Sequence, residues 1–182
     1  MRLILSIRSY DWIDYTAGTI LVEPGNWDVM IILKDDDIPI SKYDGLCRNA
    51  IYEQRKYDLF RIGKKLGIRK LMNLNYSTMN LSKLIMQLQL YIGLSNINEV
   101  YTEYYNDLYI ETLRSICSTL NTKLFIYNKD NNTKFLLVPS KRVELPINIL
   151  EIKIELNTLI LDNDTLIKKG IEEFYSIKRN IK

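Results

Sequence analysis

At 182 residues the chain is long enough for one domain with a buried core and hardly long enough for two. Hydrophobic residues make up 47% and charged residues 26%, which excludes a disordered chain, and a formal net charge of +3 is too mild to imply a nucleic-acid partner. No apolar run approaches the roughly 18 residues of a membrane helix, and Met1–Ile7 meets Arg8 before reaching signal-peptide length, so a cytoplasmic protein is expected.

In chain order, residues 2–8 read as a buried strand, and 12–22 as a helix stopped by Pro24 and Gly25. Residues 28–34 form a second apolar strand, followed by the acidic loop Asp35-Asp36-Asp37. A helix over 46–66 carries Ile51, Leu59, Ile62 and Leu66 and ends at Gly67. The strand 69–75 leads to a helix at about 80–92, with Leu81, Leu84, Ile85, Leu88 and Tyr91 at helical spacing. A strand at 98–102, a helix from about 108 to 120 and a strand at 122–128 come next. Asp130-Asn131-Asn132 reads as a turn, with 134–138 completing a hairpin. Residues 149–156 alternate as a strand, and Ile167, Ile171, Phe174 and Ile177 mark a terminal helix over 164–180.

Alternating strands and helices imply βαβ units and a mostly parallel sheet covered on both faces. The expected fold is a single Rossmann-like α/β domain over 1–182, its sheet flanked by helices, with a C-terminal β-hairpin and helix. Function in such sheets gathers where strands end at the carboxyl edge, which directs attention to 8–12, 34–38, 75–79 and 103–112.

The chain has no histidine, which rules out Ser-His-Asp and Cys-His catalysis and histidine metal sites. Its glycines form no phosphate-cradling loop. Cys47 and Cys117 lie far apart and read as free thiols. The basic clusters, Lys64, Lys65, Arg69 and Lys70 and then Lys168, Lys169, Lys178, Arg179 and Lys182, read as solvated helix faces.

The strand Leu3–Ile7 is followed by Arg8-Ser9-Tyr10-Asp11-Trp12, and the next helix carries Ala17-Gly18-Thr19. A later helix ends Lys65-Leu66-Gly67-Ile68, and Asn75-Tyr76-Ser77-Thr78 follows the third strand. Val100-Tyr101-Thr102 then leads to Asn106-Asp107-Leu108-Tyr109-Ile110-Glu111-Thr112. In order and spacing, from residue 2 to about 120, these segments resemble a degenerate member of the PIG-L/LmbE family of zinc-dependent N-acetyl-sugar deacetylases.

The resemblance places the family's zinc ligands at Arg8, Asp11 and Thr112, its general base at Tyr10, and a further histidine at Tyr109. Only Asp11 suits a metal there, since a catalytic zinc needs about three His, Asp, Glu or Cys ligands. Tyrosine, with a pKa near 10, is a poor base at neutrality. A catalytically inactive, metal-free and cofactor-free relative is therefore expected, acting as a binding or structural component with a protein partner or a second copy, as in a viral or other large assembly. Its old site would consist of Arg8, Asp11, Asp36, Tyr76, Tyr104, Asp107, Tyr109, Glu111 and Thr112, with Arg8 forking between Asp11 and Glu111. The alternative is a divalent-metal hydrolase or glycosyltransferase, in which Asp11, Asp36, Asp107 and Glu111 hold a hard cation over a sugar or nucleotide.

Overall fold

Leu3, Ile4 and Leu5 have no solvent exposure, and Trp27, Val29, Ile31 and Ile32 are equally buried. Strands apolar on both faces belong in the middle of a covered parallel sheet, and the computed structural model places them there. It describes residues 1–34, 45, 47–128, 133–159 and 171–178.

The elements run β1 (Arg2–Ser6), α1 (Asp11–Val22), β2 (Trp27–Leu33), α2 (Arg48–Lys65), β3 (Lys70–Tyr76), α3 (Leu81–Ser95), β4 (Glu99–Glu103) and α4 (Asp107–Thr119). They continue with β5 (Lys123–Tyr127), β6 (Leu137–Glu144), α5 (Ile147–Leu159) and β7 (Ile171–Ile177). The sheet has the order β3-β2-β1-β4-β5-β7-β6. Its first five strands are mutually parallel, and β7 lies antiparallel between β5 and β6. Trp12, Ile13 and Ile20 of α1, Leu59 and Ile62 of α2, and Leu156 of α5 pack on one face. Leu84 and Leu88 of α3, with Ile110 and Leu113 of α4, cover the other. Among the described residues, no helix is long and apolar enough to cross a membrane.

Up to β5 the elements follow the pattern of apolar residues and stops. Gly67 closes α2 at φ +69, where a side chain would be strained. Asn80 and Asn106 cap α3 and α4 by accepting from the Lys83 and Tyr109 amides. Asn106, read as part of a chemical motif, thus has a structural task.

The C-terminal third departs from expectation. The 134–138 strand does not form a hairpin with β5, because β7 takes that edge and pairs with both β5 and β6. The turn at 130–132 lies outside the described residues. Residues 149–156 are helical, and 171–177, read as helix, are a strand. One ion pair accounts for both errors. Lys153 and Glu172 are 1% and 4% exposed, and the lysine ammonium meets Glu172 Oε1 at 2.5 Å. Ile149, Lys153 and Leu156 have helical spacing, but a charge at the middle position hid it. Glu172 and Phe174 share the buried face of β7, and the glutamate broke the alternation there. Glu172 also accepts from the Gly18 and Thr19 amides and the Thr19 hydroxyl. A Cβ at Gly18 would run into Leu145 and Glu172, so Ala17-Gly18-Thr19 serves here as the seat of that carboxylate.

Candidate active site

From β1 the chain winds through β2 to β3 on one side, then returns to β4 and β5 on the other. The crevice between the carboxyl ends of β1 and β4 is therefore the topological switch point, where such sheets bind ligands. The β1–α1 turn beside it is pinned by side chains. Ser6 Oγ donates to the Arg8 carbonyl at 2.6 Å, and the Trp12 indole donates to the Ser9 carbonyl at 2.9 Å.

Glu103 ends β4 in this crevice, 7% exposed, and its carboxylate accepts the Ile7 amide. Burial pushes its pKa up to about 7. The Ile7 amide, Arg8 and the Ser6 hydroxyl oppose the rise, while the charge of Asp11 adds to it. From β5, buried Tyr127 donates to the Leu5 carbonyl at 3.1 Å and stacks on Tyr15 of α1 with ring centroids 5.5 Å apart. Buried Tyr109 of α4 shares a 2.7 Å hydrogen bond with Thr102. Burial holds the phenols of Tyr127 and Tyr109 above 10, with the Glu103 charge adding, so both are fixed neutral hydrogen-bonding groups. Tyr15 is raised by burial and by Asp14, Asp11 and Glu103 in turn. A carboxyl that titrates near neutrality, beside a second carboxyl and a guanidinium, can give and take protons at physiological pH.

The residues singled out from the sequence disperse around this centre. Arg8 and Asp11 lie within electrostatic reach of Glu103. Arg8 stays exposed, and Glu111 is an outward residue of α4 that pairs with Lys134 at 3.3 Å. The fork from Arg8 to Asp11 and Glu111 is therefore not formed among the described residues. Tyr10 donates to the Arg55 carbonyl and lies beneath its guanidinium at 4.9 Å, tying the turn to α2. Asp107 takes hydrogen bonds from Tyr104, Thr133 and the Lys134 amide. Burial would raise its pKa, but those bonds outweigh it and hold the carboxyl below its ordinary value. Asp107 and Tyr104 thus tether the segment around Thr133. Thr112 returns its hydroxyl to the Leu108 carbonyl. Tyr76 ends β3, three strands from β4 in the sheet, and Asp36 lies outside the described residues. Glu103 opens the segment 103–112 but was not singled out, although a carboxylate closing an apolar strand at the carboxyl edge was visible in Val100-Tyr101-Thr102-Glu103.

These side chains do not suit a zinc ion. The positions the resemblance assigns to its ligands hold a cation at Arg8 and a self-bonded hydroxyl at Thr112. Among the described residues, no three His, Cys, Asp or Glu side chains converge on a metal position.

No family model and no curated protein matches the chain. Seven solved chains match it in structure. One is the N,N'-diacetylchitobiose deacetylase from Pyrococcus horikoshii, in complex with its inhibitor MPG, with a TM-score of 0.60 and 16% identity over 87% of this chain and 68% of that one. The fold resembles that of a deacetylase. This corrects the expectation of a non-catalytic chain, since the similar structure is an enzyme's. That expectation rested on absent histidines, which exclude a histidine-bound zinc and leave carboxyl chemistry open.

Proposed function

We propose that the chain is a hydrolytic enzyme of the PIG-L/LmbE kind that removes an acyl group from an N-acylated sugar, with Glu103 and Asp11 as its acid–base pair. The observation that carries this reading is the buried Glu103 carboxyl, raised to about 7 at the switch-point crevice of a deacetylase-like fold. The choice of an N-acetyl sugar comes from the name of the similar enzyme.

In this reading Asp11, at the start of α1, takes a proton from water as the water oxygen bonds to the acyl carbon. Glu103, protonated, gives its proton to the leaving nitrogen as the carbon–nitrogen bond breaks, yielding a carboxylic acid and the free amine. A carboxyl raised to near neutrality by burial can serve as the acid beside a carboxylate base in this way. The neutral Tyr109 and Tyr127 fix Thr102 of β4 and the Leu5 carbonyl of β1 on either side of the acid.

Acetate release from N,N'-diacetylchitobiose and N-acetylglucosamine, measured in excess chelator, tests the reading. Release is expected to persist without added metal and to fall by about 10²-fold or more in E103Q and in D11N. No release from any N-acetyl sugar, or zinc-dependent release that E103Q leaves intact, would overturn it.

A further inference from the structure

α2 buries Ile51, Leu59 and Ile62, and its C-terminal cap, Leu66, is buried as well. Opposite them, spaced three and four residues apart, lie Tyr57, Phe60, Arg61 and Lys64. Tyr57 is 58% and Phe60 64% exposed, where a helix pole facing water ordinarily carries polar residues. The Arg61 guanidinium lies over the Tyr57 ring at 5.8 Å. Lys65 follows.

Lys56 and Arg69 are matched by Glu53 and Asp28. Arg61, Lys64 and Lys65 have no carboxylate within 4 Å among the described residues. The negative end of α2 explains cations at Lys64 and Lys65. It explains neither Arg61 nor two exposed rings.

The combination selects an occupant. Two rings offer too little apolar area to seat a helix in a bilayer. Unmatched cations beside bare rings fit a chain that alternates phosphates with flat bases. We infer that this pole of α2 is a docking surface for single-stranded nucleic acid, with bases against Tyr57 and Phe60 and phosphates against Arg61, Lys64 and Lys65. The net charge of +3 does not oppose this, because non-specific binding depends on the cations at the contact. The surface lies towards the amino edge of the sheet, away from the Glu103 crevice, and does not depend on the catalytic reading.

Fluorescence anisotropy of a labelled oligodeoxythymidylate of about 20 nucleotides tests the assignment. Micromolar binding at low salt is expected, with a slope of log affinity on log salt of about −2, from roughly 0.7 per phosphate contact. Y57A and F60A, which leave the core untouched, are each expected to weaken binding about five-fold or more. The triple change R61A, K64A and K65A flattens the salt slope, while K83A on α3 leaves binding intact. Four results overturn the inference: no anisotropy change at low salt, binding indifferent to both rings, equal weakening by K83A, or binding to phosphatidylserine vesicles or polyglutamate without the oligonucleotide.

Discussion

Replacing Glu103 with glutamine isolates the energetic consequence of burying that carboxyl. The group titrates near 7 in the folded chain, against 4.5 when unperturbed. Between those values the native state holds a proton that the unfolded chain has lost. Stability therefore falls as pH rises from about 4.5 to about 7 and is level above that range. At 1.36 kcal/mol for each pK, holding the carboxylate ionised in its buried place costs about 3 kcal/mol at alkaline pH. Glutamine is neutral at every pH, and its amide oxygen can still accept the Ile7 amide. The stability of E103Q relative to wild type is thus expected to rise by about 3 kcal/mol between pH 4.5 and 8. For a chain of this size that is roughly 6–12 °C in Tm. Urea denaturation of both proteins, followed by circular dichroism at several pH values, measures it. A difference that stays constant across the range would show that Glu103 titrates like an exposed glutamate, and the acid–base reading would lose its foundation.

Lys153→Met leaves Glu172 charged and buried with only its α1 partners, and a loss of about 3–5 kcal/mol is expected in denaturant titrations. Glu172→Gln should be poorly tolerated as well, because donors meet both carboxylate oxygens and an amide NH₂ would face one of them. Cys47 is exposed, whereas Cys117 is buried and its thiol is pushed up to about 12. One thiol should therefore react with a disulfide reagent in the native protein at neutral pH and two in denaturant; two rapid native reactions would contradict the packing of α4.

The sequence was most legible where each residue obeys one rule. The strands from β1 to β5 are apolar runs, and the helices between them end at glycine or begin at asparagine, so spacing and punctuation agreed. It misled where a charge takes an apolar position. Lys153 and Glu172 satisfy each other across about twenty residues of chain, and neither segment alone reveals why a charge is allowed in the core. The residues singled out for the site disperse for a different reason. Carrying a family pattern onto single positions drew attention to Tyr10, Glu111 and Thr112, which the fold uses as a tie to α2, an outer ion pair and a turn of helix. Glu103 becomes conspicuous only when β1 and β4 are known to be neighbours with their carboxyl ends at the reversal of strand order. That adjacency joins segments almost a hundred residues apart, and local periodicity does not record it.

The account turns on Glu103 exchanging protons near neutrality within reach of Asp11 and Arg8. Its side-chain carboxyl carbon, labelled with carbon-13 and identified by its disappearance in E103Q, can be followed by NMR from pH 4 to 9. A midpoint near 7 is predicted, moving down in D11N, where a neighbouring negative charge is gone, and up in R8A, where a positive one is gone. A midpoint near 4.5 that neither variant moves would contradict the account.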